Sequence, residues 1–308
     1  MDHATSIFFM GKGGVGKSTS AALTSVFLAE KGHKVLIVSL DPAHNQADIF
    51  DTALTGRAKK IGDNLLAMEM DQDYWVRVYL KDIHKQINRT YAYLTALNLE
   101  KYFDVIKHSP GLEEYAILMA FEHIHREYGE RDFLVFDMPP TALSLRFFGL
   151  PKLSLVWIEH LLALREEIIQ KREIITKIRL VNKEVERDKI LNKIKELKAE
   201  YHRVKEIFQD REKTQVKLVL NPDKLSFAES VRILGALKKI DMSLNQVIYN
   251  KMQPDSSCAE IEDHFAGIPM MTFPYSPTPL VGIESLRRFL KQNDELVEKQ
   301  LNVCHFPG

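Results

Sequence analysis

Seven short apolar runs recur along the chain, at Ser6–Met10, Val35–Leu40, Leu65–Met70, Phe133–Phe136, Val216–Leu220, Gln246–Tyr249 and Met270–Phe273. Short runs without polar alternation predict strands buried on both faces. Helical stretches separate them, and this alternation predicts an α/β fold, a doubly wound and mostly parallel sheet covered by helices on both sides. The first of those helices reads Lys17 to Glu30 and is stopped by Lys31-Gly32. Between about Lys152 and Lys213 the pattern changes. Strand signals vanish, and lysine, arginine and glutamate mix densely. Ile190, Ile194, Leu197, Tyr201, Val204 and Phe208 alternate spacings of four and three, which lines them along one helical seam. Leu161, Leu164, Ile168, Ile175, Ile178 and Val185 form a second, interrupted seam. Together they predict an antiparallel helical hairpin with arms of about 35–40 Å, the seams as its core and the charged faces in solvent. The expected division is residues 1–151 and 214–308 for the two parts of the sheet domain, with 152–213 inserted between them.

Composition narrows the function classes. A chain of 308 residues suffices for one large α/β domain with an insertion. Its 42 basic side chains balance 42 acidic ones, and no basic block stands out, so no nucleic-acid partner is expected. Met1-Asp2-His3-Ala4-Thr5 lacks a basic n-region and an apolar h-region, and no later stretch reads as apolar for long enough to span a bilayer. A cytoplasmic location without a stable membrane anchor is therefore expected. Cys258 and Cys304 lie far apart and form no CxxC pair, which leaves a disulfide framework, a zinc site or an iron–sulfur site without local support.

The strongest chemical signal follows the first strand. Gly11-Lys12-Gly13-Gly14-Val15-Gly16-Lys17-Ser18-Thr19 satisfies GxxxxGK[ST] between a strand and a helix, the P-loop pattern. Glycines let the backbone wrap a β-phosphate, so that N–H groups and the positive helix end face the anion. Lys17 is expected on the β- and γ-phosphates of ATP, and the Ser18 hydroxyl on Mg²⁺. Lys12 adds a second cation where charge accumulates during phosphoryl transfer. Asp41 ends the second run and Asp137 follows the fourth, at carboxyl ends of parallel strands, where ligands bind. Asp137 has the Walker B position and is expected to hold the magnesium, directly or through a water. Asp41 is placed to orient or deprotonate the attacking water.

The loop resembles the deviant Walker A of the SIMIBI ATPases, the group that includes MinD, ParA, the nitrogenase iron protein and ArsA. That resemblance implies a homodimer closed on ATP, with Lys12 touching the partner subunit's nucleotide. Asp41-Pro42-Ala43-His44-Asn45-Gln46-Ala47-Asp48-Ile49-Phe50 resembles switch I of the ArsA branch, which holds arsenite-pump ATPases and the guided-entry ATPases that deliver tail-anchored membrane proteins. Leu65–Asp71, Pro110-Gly111-Leu112-Glu113-Glu114 and Ser144–Pro151 resemble further stretches of that family. It implies nucleotide contacts from Asn45, from Asn250 as the adenine reader, and from Pro274, where an adenine-side loop begins.

Departures bear on the load rather than the motor. Met138-Pro139 and Ala142-Leu143 replace a threonine-alanine and a glycine-histidine usual in switch II of the family. Only Cys258 lies near the place of the guided-entry CxxC zinc clamp, so no zinc is expected. Arsenite capture takes three thiolates, which two distant cysteines do not supply within one chain. Residues 152–213 contain no methionine, unlike a methionine-rich client groove. The reading is an ArsA-like ATPase whose insertion engages a protein client or partner. The alternatives are a MinD-like positioning factor, which needs a basic amphipathic C-terminal helix where Ile283–Leu301 is mixed in charge, and a nucleotide-binding scaffold.

Overall fold

A computed structural model describes residues 4–43, 45–90, 111–178, 189–253 and 259–293. Each of the seven apolar runs forms a strand: β1 (Thr5–Met10), β2 (Val35–Ser39), β4 (Leu65–Glu69), β5 (Phe133–Asp137), β6 (Thr214–Leu220), β7 (Gln246–Met252) and β8 (Met270–Pro274). A further strand, β3 (Lys59–Lys60), pairs antiparallel with β4 at the sheet edge. The order is β3-β4-β2-β5-β1-β6-β7-β8, and the other neighbouring pairs are parallel. β3 carries two exposed lysines and no apolar run, so nothing in its sequence announces a strand.

The helices are α1 (Lys17–Glu30), α2 (Asn45–Phe50), α3 (Gln72–Thr90), α4 (Leu112–Tyr128), α5 (Thr141–Ile178), α6 (Lys189–Gln209), α7 (Lys224–Lys239), α8 (Ala259–His264) and α9 (Ile283–Gln292). At the end of α1, Gly32 takes a φ of 96° while the His33 N–H returns to the Leu28 carbonyl at 3.2 Å, a left-handed stop that glycine adopts without strain. Ile7, Phe9, Ile37 and Val135 face one core layer with α1 and α9. Phe8, Val38, Phe136 and Leu218 face the other, with α4, α5 and α6. There Phe8 stacks on Phe136 with centroids 5.0 Å apart, and Phe121, Phe148 and Phe208 close around it. Each ring contributes about 1.5–3 kcal/mol of burial, and Phe148 and Phe208 anchor the base of α5 and α6 to the sheet.

The hairpin pairs α5 with α6, and Lys198 meets Glu159 across it at 3.3 Å. Over the described residues α5 runs about 57 Å and α6 about 32 Å at 1.5 Å per residue. α5 starts at Thr141 and continues through Pro151, so residue 151 lies inside a helix. The expected seam on the first arm is not its buried face. Leu155 and Ile158 are buried and Leu162 and Ile169 half-buried, whereas Leu161, Leu164 and Ile168 are exposed together with Leu153, Val156 and Trp157. α5 thus carries two apolar stripes, one packed against the described residues and one exposed. For the same reason the expectation that no stretch could span a bilayer is corrected. Thr141–Lys171 is long and apolar enough to cross a membrane by length and composition, and a third of its most apolar stretch is buried. His44, Pro110, Val185, Cys258 and Cys304 lie outside the described residues, as do the side chains of Ile175 and Ile178 and the part of the expected helix beyond Asn293.

Candidate active site

The strand order reverses around β1 and β5, and the loops that leave β1, β2 and β5 meet at their carboxyl ends. The residues from Gly11 to Gly16 join β1 to α1. Two glycines there are irreplaceable by geometry. Gly11 has a φ of 148°, and a Cβ on it would fall 2.2 Å from the Val219 carbonyl oxygen; Gly16 has a φ of 93°, and its Cβ would fall 2.2 Å from the Asn250 amide nitrogen. β7 clamps the loop from outside. Asn250 Nδ2 donates to the Val15 carbonyl at 2.8 Å, and Lys251 Nζ to the Gly14 carbonyl at 3.3 Å. Lys251 sits at a φ of 58°, a costly backbone state for a lysine. With carbonyls taken outward, the free N–H groups of the first turn of α1 remain for an anion. Lys17 is buried, and its Nζ reaches back to the Lys12 carbonyl at 3.4 Å.

Asp137 aligns with Phe9 on one side and Ser39 on the other, which fixes it between the loops after β1 and β2. It is fully buried. Burial pushes its carboxyl up to about 6, against hydrogen bonds from Ser18 and Gln46 and the charge of Lys17, with Asp41 adding to the rise. Among the described residues its Oδ1 has no hydrogen-bond partner. Asp41 is nearly buried and accepts from the Ala43 N–H at 3.0 Å. These groups suit magnesium: a serine hydroxyl and a carboxylate with one unshared buried oxygen are hard donors, and Mg²⁺ takes few protein ligands when phosphates complete its shell. Among the described residues no group of three or more His, Cys, Asp or Glu converges to hold a metal by itself.

Lys12 is placed beside Asp223. Its Nζ lies 4.0 Å from Asp223 Oδ1, both side chains partly exposed, while Asp223 caps α7 through the Ser226 N–H. Glu229 stands beside them, its carboxyl held below the usual range by Arg232 first, then by the Thr141 hydroxyl and Lys12. Thr141 also donates to the Gly11 carbonyl at 3.4 Å, which joins the start of α5 to the loop. Asn45 opens α2, and Pro274 ends β8 opposite Met252, two residues beyond Asn250. Thr19 lies in the first turn of α1. Sequence reasoning singled out neither Gln46, Lys251 nor Asp223. Gln46 lies within the stretch that resembles switch I and Lys251 follows Asn250, but only their placement reveals contact with the loop or Asp137.

The sequence profile of the anion-transporting ATPase family matches residues 4–294. The chain is 32% identical over 301 residues to "Putative arsenical pump-driving ATPase 2" of Aquifex aeolicus, covering 92% of this chain and 97% of that protein. It is 28% identical over 307 residues to a protein of Chlorobaculum tepidum named "Putative arsenical pump-driving ATPase", covering 91% and 73%. It is also 30% identical over 266 residues to "ATPase ASNA1 homolog" of Plasmodium yoelii yoelii, covering 83% and 66%.

Proposed function

This chain belongs to the anion-transporting ATPase family and is an ATPase, and from that premise we propose that it hydrolyses Mg-ATP as a cytoplasmic homodimer and passes its nucleotide state along α5 to a protein client or partner. Lys17 binds the β- and γ-phosphates. Ser18 and Asp137 would hold the magnesium, which would supply charge neutralisation to the phosphates when bound. Asp41 orients the attacking water and takes its proton. Asn45, Asn250 and Pro274 contact the nucleotide, while Gly11, Gly13, Gly14, Val15, Gly16 and Thr19 shape its cradle. Lys12 serves across the dimer, a reading supported by its position at the surface beside Asp223. Residues 152–213 act as the client-engaging insertion between two parts of one ATPase domain.

One observation carries the coupling. α5 is a single helix whose first residue, Thr141, touches the P-loop and whose exposed stripe, Leu153, Trp157, Leu161, Leu164 and Ile168, begins about 18 Å further on. An apolar helix face in solvent marks an interaction surface. Phe147 and Phe148 bury the first part of this helix in the core, which favours a partner-binding arm over a membrane span. Two of the three relatives are named for arsenical pumps, but the two cysteines of this chain do not make a three-thiolate site, so the load is read as protein. The test uses an Asp41→Asn variant loaded with Mg-ATP as bait. A partner recovered on it is expected to be lost when Trp157→Glu and Leu161→Glu are added. Recovery indifferent to both substitutions contradicts the assignment of the stripe.

A further inference from the structure

Gln46 lies in α2 with no exposed surface, between the loops after β1 and β5. Its Nε2 donates to the Ser18 carbonyl at 3.0 Å and to Asp137 Oδ2 at 3.1 Å. Both neighbours accept, so the amide orientation is fixed by chemistry and Oε1 must face the other way. That oxygen is buried and, among the described residues, has no hydrogen-bond partner, like Oδ1 of Asp137. A leucine would fill the same volume without burying a polar group, so packing alone does not account for a glutamine here. The helix that carries it is held at two further points: Glu69 accepts from the Ala47 N–H at 2.8 Å, and the Ile49 carbonyl accepts from the Gly282 N–H at 2.8 Å.

We propose that Gln46 is a positioning residue of the ATPase, tying the segment after β2 to the magnesium group. Nε2 orients the Asp137 carboxylate against the P-loop, and Oε1 is the acceptor available to a water of that group. The segment that carries Asp41 is thereby held in register with Ser18. The proposal rests on the magnesium site assigned above. It gives a reason for the amide that neither the motif nor the packing supplies, since groups that orient a metal's ligands are themselves fixed by hydrogen bonds.

The test is calorimetric titration of a nonhydrolysable ATP analogue, with Mg²⁺ and again with EDTA. Gln46→Met keeps the length of the side chain and removes both polar atoms. It is expected to weaken binding with Mg²⁺ by roughly 10-fold or more, the usual loss for a residue that orients a metal ligand, and to leave binding in EDTA unchanged. Equal weakening in both buffers, or none in either, overturns the proposal. Should Gln46→Met fail to fold, Gln46→Asn, whose amide is one methylene short, is expected to show a smaller loss confined to Mg²⁺; wild-type behaviour overturns the proposal. Ser18→Ala runs beside them. If it loses the magnesium dependence while Gln46→Met keeps it, the role of Gln46 fails and the site stands. If Ser18→Ala keeps it too, the site assignment fails and takes this inference with it.

Discussion

The strand ends and the helical hairpin invert the ordinary distribution of side chains in opposite senses. At the strand ends polar groups are buried: Lys17, Gln46 and Asp137, the last two with oxygens that have no hydrogen-bond partner among the described residues. Along α5 apolar groups are exposed, with Trp157 at 66%. Either inversion costs the isolated chain stability or solubility. On the function proposed above, each is completed by something outside the chain, an anion with its cation in the first case and an apolar face in the second. The two regions also differ in how narrowly they define that complement. Buried oxygens and a phosphate cradle admit few ligands, whereas an exposed stripe admits any apolar surface of suitable length.

The separation between the two regions can be broken by substitution. Lys17→Ala removes the cation from the phosphate site and is expected to lower turnover by about 10²–10³-fold, the range for losing one preorganised electrostatic contact. Trp157→Glu is expected to leave turnover within about twofold, because a solvent-facing side chain away from special features perturbs the fold little. Turnover by malachite-green phosphate release decides this. A large loss with Trp157→Glu alone would mean that the stripe belongs to the catalytic unit, not to a separate load-bearing face.

A smaller effect sharpens the polar side of the contrast. With its carboxyl raised from about 4 in the unfolded chain to about 6 when folded, Asp137 binds a proton more tightly in the folded state. In the ligand-free protein this term falls as pH rises from about 4 to about 6, is lost above that window, and is fully present below it. Asp137→Asn is expected to remove that dependence and to raise ligand-free stability at pH 7 by about 2–3 kcal/mol, while abolishing magnesium-dependent turnover. Urea unfolding at pH 4.5 and pH 7 checks the first part. Magnesium binding should strengthen as pH rises through 6, because it competes with that proton.

Much of the sheet was legible because its strands are buried on both faces and read as plain apolar runs; Lys59–Lys60 was not, because an exposed two-residue edge strand has no pattern to read. The run of α5 through Pro151 was not legible either. Proline ordinarily breaks a helix, and here burial of Phe147, Phe148 and Leu150 holds the segment on the core. Periodicity found the buried seam of α6, where Val204 and Phe208 reach the core, but on α5 it chose the exposed stripe, since Leu161 and Leu164 repeat as well as Ile158 and Leu162 and only tertiary contact tells them apart. In the site, Gly11 to Thr19, Asp41 and Asp137 announced themselves by spacing after strands. Gln46 did not, because a single glutamine carries no signal until its burial and its two acceptors are known.

The central claim, that nucleotide state reaches the exposed face of α5, is tested most directly at Trp157. The chain has two tryptophans, so Trp75→Phe leaves Trp157 as the reporter on the stripe. With a nonhydrolysable ATP analogue and Mg²⁺, its emission and its quenching by iodide are expected to change, to revert with Mg-ADP, and to stay fixed in the Lys17→Ala background. A Trp157 signal identical in the nucleotide-free, ATP-analogue and ADP states, with binding confirmed by calorimetry, would contradict the account.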